Sequence, residues 1–201
     1  MTVFKIYPKG FAANSYLLTA DNRTAVVIDP AQPRIVDEAR ARGLDIRFAL
    51  LTHGHFDHIG GCAAVRAAGA KIGCLEAEKS LALGRDNAAA LFGVTVPPFA
   101  IDFTFRDGET LSLCGISFSF LATPGHTAGG ACICAGDYLF TGDTLFAGDV
   151  GRTDLPTGNG AQLTASVKKL YALPGDYIVC PGHGEDTSLE YERHNNGWIR
   201  C

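Results

Sequence analysis

Residues 46–52 read IRFALLT, an apolar run without alternation, and HGHFDH follows it directly. A strand that does not alternate is buried on both faces, so the chain must cover its sheet above and below. The flanking sequence offers that cover. Strand-like runs precede it in VFKIYP, NSYLLTA and TAVVIDP, and AKIGCLE follows. PRIVDEARARG reads as a short helix opened by Pro33 and closed by Gly43, and GGCAAVRAAG as another. A less regular part comes next, with EAEKSLALG helical and FGVTVPPFAIDF a loop. From Phe103 a second strand group runs through FTF, ETLSL, ISFSFLAT, ACICA and DYLFTG. GNGAQLTASVKKLYALPG is the last long helix, YIVCPG the last strand, and SLEYERHNN a short closing helix. Two strand groups, each interleaved with or followed by helices, predict two sheets in a core with helices outside them. The 201 residues carry no internal repeat, low-complexity tract or linker, which predicts one domain over 1–201.

Four of these strands end in metal-ligand residue types. IRFALLT leads into HGHFDH, ISFSFLATPG into His126, DYLFTG into Asp143 and YIVCPG into His183, and five of the six histidines sit at those ends. Strand ends are rigid, and strands lying side by side would bring these residues to one sheet edge. In extended chain, residues i and i+2 point the same way, so His53 and His55 can grip one ion together. Phe56 changes the chain direction, after which Asp57 and His58 can face a second ion, and Gly54 and Gly60 permit that tight path. Imidazole and carboxylate ligands without thiolate suit zinc, iron or manganese. Seven such groups are too many for one four-coordinate ion, so the spacing predicts two divalent ions. His194 has no such setting and reads as a surface residue.

Composition narrows the function classes. A net charge of -4 leaves no basic footprint for nucleic acid. Hydrophobic content of 47% with 19% charged residues is that of a folded, soluble chain. No apolar stretch approaches the ~18 residues of a membrane span. The N-terminus lacks a signal peptide's apolar core and cleavage site, so the expected location is the cytoplasm. The odd cysteine count (Cys62, Cys74, Cys114, Cys132, Cys134, Cys180 and Cys201) then reads as reduced thiols. Cys132 and Cys134 share one face of a strand. They read as small core residues rather than a metal pair, as do Cys62 and Cys180.

THGHFDHIGG resembles the HxHxDH signature of the metallo-β-lactamase superfamily, and TPGHT, TGDTLF and CPGHG match its remaining metal motifs in order. The resemblance covers nearly the whole chain, from the N-terminal strands to the HNN segment. It implies an α+β fold, the four-layer αβ/βα sandwich. It also implies a metal centre in which His53, His55 and His126 hold one ion, Asp57, His58 and His183 hold the other, and Asp143 bridges them. Zinc is the first expectation, with iron or manganese also fitting. β-Lactamases of the common zinc type carry Cys where this chain has Asp143 and lack the histidine matching His58, which argues against an antibiotic-degrading role. The RNA-processing branch carries a large inserted domain for which 201 residues leave no room. GDTLFAGDVGRTDLPTG resembles the glyoxalase II-like branch, the hydroxyacylglutathione hydrolases and their short bacterial relatives. Arg152 matches that branch's basic position, but Asp154 stands where it often has Tyr, so the thiol carrier stays open.

The implied chemistry is two-metal hydrolysis of a thioester. The ions would share a water, lower its pKa and supply hydroxide, while one of them stabilises the developing oxyanion. Asp57 would orient that nucleophile or take its proton. A thiolate leaves without a strong general acid, and none is evident, which favours thioesters over amides. Arg152 is expected to anchor a substrate carboxylate over the pocket, and the competing reading pairs it with Asp154 within the loop. Two other functions stay open: a persulfide dioxygenase with one iron on His53, His126 and Asp143, and a non-catalytic metal-binding module. Lactone or phosphoester hydrolysis would be served by the same ions. The expected partner is a small-molecule thioester, with no nucleic acid and no membrane, and monomer and homodimer both remain possible.

Overall fold

The computed structural model describes residues 1–200, so Cys201, one of the seven expected thiols, lies outside the described residues. β1 (Thr2–Ile6), β2 (Ser15–Thr19) and β3 (Thr24–Ile28) form an antiparallel meander. β4 (Asp45–Leu51), β5 (Lys71–Leu75) and β6 (Phe103–Phe105) extend it in parallel, giving the order β1-β2-β3-β4-β5-β6. Parallel neighbours need a crossover. α1 (Ile35–Ala41) supplies it between β3 and β4. Between β4 and β5 it comes from the single turn α2 (Phe56–Ile59) with α3 (Cys62–Ala67). α4 (Lys79–Leu83) follows β5.

The second sheet is built from β7 (Thr110–Leu113), β8 (Ile116–Ala122), β9 (Ala131–Ala135), β10 (Tyr138–Gly142), β13 (Ile178–Pro181) and β14 (Thr187–Ser188). Its order is β14-β13-β10-β9-β8-β7, antiparallel except where β13 lies parallel to β10. That one parallel pair is joined by a small hairpin, β11 (Leu145–Phe146) with β12 (Asp149–Val150), and by α5 (Gly160–Tyr171), while α6 (Leu189–Asn195) closes the chain.

Alternating residues assign the layers. On β3, Val26 and Ile28 pack between the sheets with Phe118, Phe120 and Phe140, whereas Ala25 and Val27 pack with Ile35 and Val65 of the helices. β4 does the same, Leu50 facing the second sheet and Ala49 and Leu51 the helices, so IRFALLT is buried on both sides as its composition requires. Beyond the second sheet, Cys132 and Leu139 pack with Val167 and Leu170 of α5. The outcome is the expected four-layer sandwich, helices, sheet, sheet, helices. Cys62, Cys132 and Cys180 are core residues in it, and burial pushes the Cys132 thiol up to about 12.

One expectation is corrected. The four ligand-bearing strands do not lie side by side: β4 is in the first sheet, and β8, β10 and β13 are in the second. β8 and β10 are both antiparallel to β9, and β13 is parallel to β10, so these three point the same way. Their ends meet the end of β4 across the gap between the sheets rather than along one edge. Among the described residues no helix is long and apolar enough to cross a membrane.

Candidate metal centre

The chain leaves β4 at Thr52, whose carbonyl accepts a hydrogen bond from Ala131 N at 2.9 Å and so ties the strand end to the opposite sheet. His55 is extended and α2 then turns the chain, which presents Asp57 and His58 on a single helical turn. His126 follows β8, Asp143 follows β10 and His183 follows β13. The structure brings all seven expected metal-ligand residues together. Ligand atoms of His53, His55 and His126 lie within 4.8 Å of one another, as do those of Asp57, His58 and His183, and those of His53, His58 and Asp143. Asp143 touches both triads: Oδ1 is 3.2 Å from His58 Nε2, and Oδ2 is 3.4 Å from His126 Nε2 and 3.6 Å from His183 Nε2. Asp57 Oδ2 lies 3.1 Å from His183 Nε2, and His55 Nδ1 lies 2.8 Å from His126 Nε2. Gly182 admits this closeness, since a Cβ there would collide with Asp143 Oδ1 and His58 Cε1.

The electrostatics suit cations. Burial, with the neighbouring His58, pushes the His53 imidazole well below its usual range, and burial with His126 presses His55 down to about 4. Both shifts favour the neutral imidazole, the form that ligates. Burial acts to raise Asp143, but His58, His126 and His53 outweigh it and hold the carboxyl well below its usual range. For His58, burial opposes charge, yet Asp143, Asp29 and Asp57 prevail and its pKa rises. His53 Nε2 and His55 Nε2 are buried with no hydrogen-bond partner. Such orphans cost about 1–3 kcal/mol each unless something coordinates them. Clustered imidazole nitrogens and carboxylate oxygens in two triads sharing Asp143 are a donor set that fits two divalent ions.

Residues behind the ligands hold them in place, and sequence reasoning missed these. Asp29 Oδ2 accepts from His58 Nδ1 at 2.8 Å and from Thr52 Oγ1 at 2.6 Å, while Oδ1 accepts from Thr52 N at 2.8 Å. A signal was present, because TAVVIDP is a fifth buried strand ending in a carboxylate. The Asp29 backbone is left-handed at φ +49, which Asp tolerates better than most residues. Glu78 accepts from Gly54 N at 2.8 Å and Gly129 N at 2.9 Å, stapling the loop of His53 and His55 to that of His126. Burial pushes its carboxyl up to about 7, against the pull of those donors and of Thr127. Nothing local in EAEKSLALG announced this. The His126 ring is oriented by the Arg152 carbonyl, 2.7 Å from Nδ1.

Above the two triads opens a cavity of about 740 Å³. His55, Asp57, His126, Asp143 and His183 form its floor, and Phe11, Phe56, Phe92, Val94, Phe146 and Leu155 stand in its walls. Arg152 also lines it, but its guanidinium is not free. Nε and Nη2 donate to the two Asp154 oxygens at 2.6 and 2.8 Å, the contact on which the competing loop-pair reading rests. His194 is on the surface beside Glu190, 3.0 Å away.

A family model, the metallo-beta-lactamase superfamily, matches residues 8–183, a span that contains all seven clustered side chains. The chain belongs to the metallo-beta-lactamase superfamily. Members are in general metal-dependent hydrolases that bind divalent ions, and this chain carries a histidine and aspartate cluster that could hold them. A hydroxyacylglutathione hydrolase, GloC of Haemophilus influenzae, is 35% identical over 94% of this chain and 93% of its own. Among solved structures, BLEG-1 B3 metallo-beta-lactamase superposes with a TM-score of 0.92 at 30% identity, covering 100% of both chains. TTHA1623 in a di-iron-bound form gives 0.86 at 33%, covering 98% of this chain and 100% of that one. ETHE1 from Myxococcus xanthus gives 0.81 at 27%, covering 99% and 84%.

Proposed function

We propose that the protein is a metal-dependent thioester hydrolase related in activity to the hydroxyacylglutathione hydrolases. The observation that carries this is the floor of the cavity, where two ligand triads share Asp143 beneath a space large enough for a small molecule. The full-length likeness to GloC supports the thioester class. Divalent ions bound there, zinc first and iron as the alternative, would activate a water and offset charge on the carbonyl oxygen. Asp57, at the cavity floor and 3.1 Å from His183, would orient the nucleophile or take its proton. Among the described residues no lysine, tyrosine or cysteine lines the cavity to act as a general acid. That suits a thiolate, which departs unprotonated, better than an amine.

A persulfide dioxygenase with a single iron on His53, His126 and Asp143 is the second reading, and the likeness to ETHE1 favours it. The likeness to BLEG-1 adds a β-lactam to the compounds worth testing, against the sequence argument from Asp143 and His58. The deciding experiment measures metal content and then turnover of S-lactoylglutathione, a neutral thioester, glutathione persulfide with oxygen uptake, and nitrocefin. About two ions per chain, with thioester turnover lost to chelation and restored by metal, is the expected result. Saturation at one iron with oxygen uptake would put the dioxygenase in its place, and faster nitrocefin hydrolysis would make the protein a β-lactamase. No turnover of any compound would leave a metal-binding module.

A further inference from the structure

Resting on the thioesterase reading, we infer that the substrate is apolar and uncharged, an aryl or medium-chain acyl group on a neutral thiol. We infer further that Asp154 sets this preference by occupying the cavity's one arginine. The volume of about 740 Å³ falls among small-molecule pockets, which span roughly 300–1,000 Å³. Above the metal-ligand floor its walls are aliphatic and aromatic. Phe11 is 91% exposed, Phe92 53% and Val94 44%, at the rim of one concave surface. Large apolar side chains gathered at such a rim mark a binding site rather than ordinary surface. The Phe56 and Phe92 rings lie 5.1 Å apart, and Phe146 sits 6.2 Å from His183, so aromatic surface flanks the floor.

Charge argues the same way. Glutathione brings two carboxylates, and a site for it needs cations. Histidines aside, Arg152 is the only basic residue among the described cavity residues. Its fork is filled by both Asp154 oxygens, a bidentate pair that leaves no matching face for a substrate carboxylate. An anionic carrier would find the cavity's arginine already neutralised by Asp154. A neutral carrier loses nothing to this pair and gains the apolar walls.

The test uses unreactive thioethers, so it reads recognition independently of hydrolysis. Calorimetry of the metal-replete protein compares S-benzyl-N-acetylcysteamine with S-benzylglutathione, which changes only the carrier, and with S-methyl-N-acetylcysteamine, which removes only the ring. The neutral benzyl compound should bind at least about tenfold more tightly than either. It buries a ring that the methyl compound lacks, and unlike glutathione its carrier brings no carboxylates to desolvate beside an arginine that is already paired. Phe92→Ala and Phe11→Ala should each weaken it by about three- to tenfold. Phe11 lies outside the core, so its replacement leaves folding intact, as a thermal melt will show. Asp154→Asn should tighten S-benzylglutathione by about fivefold or more, since a hydrogen-bonded charge pair becomes available. Equal or tighter binding of S-benzylglutathione to the unaltered protein overturns the proposal. So does indifference of the benzyl compound to both phenylalanine changes, or no binding of any of the three. An Asp154→Asn protein with unchanged glutathione affinity removes Asp154 from the account. Failure of the thioesterase reading would appear separately, as tight neutral thioether binding without thioester turnover.

Discussion

Beneath the cavity His58 is fully buried, and three of the clustered histidines are steadied at their far nitrogens by Thr52, Asp29 and the Arg152 carbonyl. At the mouth Phe11 stands 91% exposed, and Arg152 is held by one neighbouring carboxylate. The floor is assembled from the ends of β4, β8, β10 and β13, whereas the mouth is carried by the segments around Phe11, Phe92 and Leu155. The contrast has a physical reason. Coordinating groups must be held to fractions of an ångström, which buried strand ends can do. Apolar walls need only shape and area, which loops can supply and change without disturbing the floor.

The contrast can be broken most severely at Asp143. Asp143→Ala withdraws the one carboxylate that reaches both triads. Metal content should fall for both ions together, and turnover by about a hundred- to a thousandfold, the scale of several kcal/mol of lost charge stabilisation. Elemental analysis and steady-state kinetics on one preparation check this. Full metal content with turnover within tenfold of the parent would mean that the two triads are independent.

A smaller effect is expected behind the floor. Asp29→Asn keeps the side chain's shape and its tolerance of a left-handed backbone, but removes the charge that His58 Nδ1 faces. Metal affinity or activity should fall by about ten- to a hundredfold, as for other partners of metal-bound histidines. Competition with a chelator of known affinity measures it. An unchanged affinity would reduce Asp29 to a brace for Thr52.

The smallest effect belongs to the mouth. Arg152→Ala removes an exposed ion pair worth about 0–1 kcal/mol, so turnover of a neutral thioester should change less than about threefold. If KM for an acidic thioester instead rises tenfold with kcat intact, the arginine is the carboxylate anchor that its place in the sequence suggested. The mouth would then be as specific in charge as the floor.

All seven clustered residues were legible in the sequence because each signal is local. An apolar run marks a buried strand, and the residue just beyond it inherits that strand's rigidity. The same rule reaches Asp29 at the end of TAVVIDP. Glu78 had no comparable mark, since its work of joining Gly54 to Gly129 depends on two loops far apart in the chain. Sequence patterning by itself determined the longer strands and helices and the donor chemistry, whereas the short elements α2, β11, β12 and β14 had no pattern of their own. Tertiary structure decided which sheet each strand joined, and hence that the ligands meet across the gap between two sheets. It also paired Arg152 with Asp154, one of two uses that their two-residue separation left equally open. Pairing and side-chain partnership are non-local, settled by which backbone groups and charges remain unsatisfied once the layers pack, and composition within a run carries no record of that.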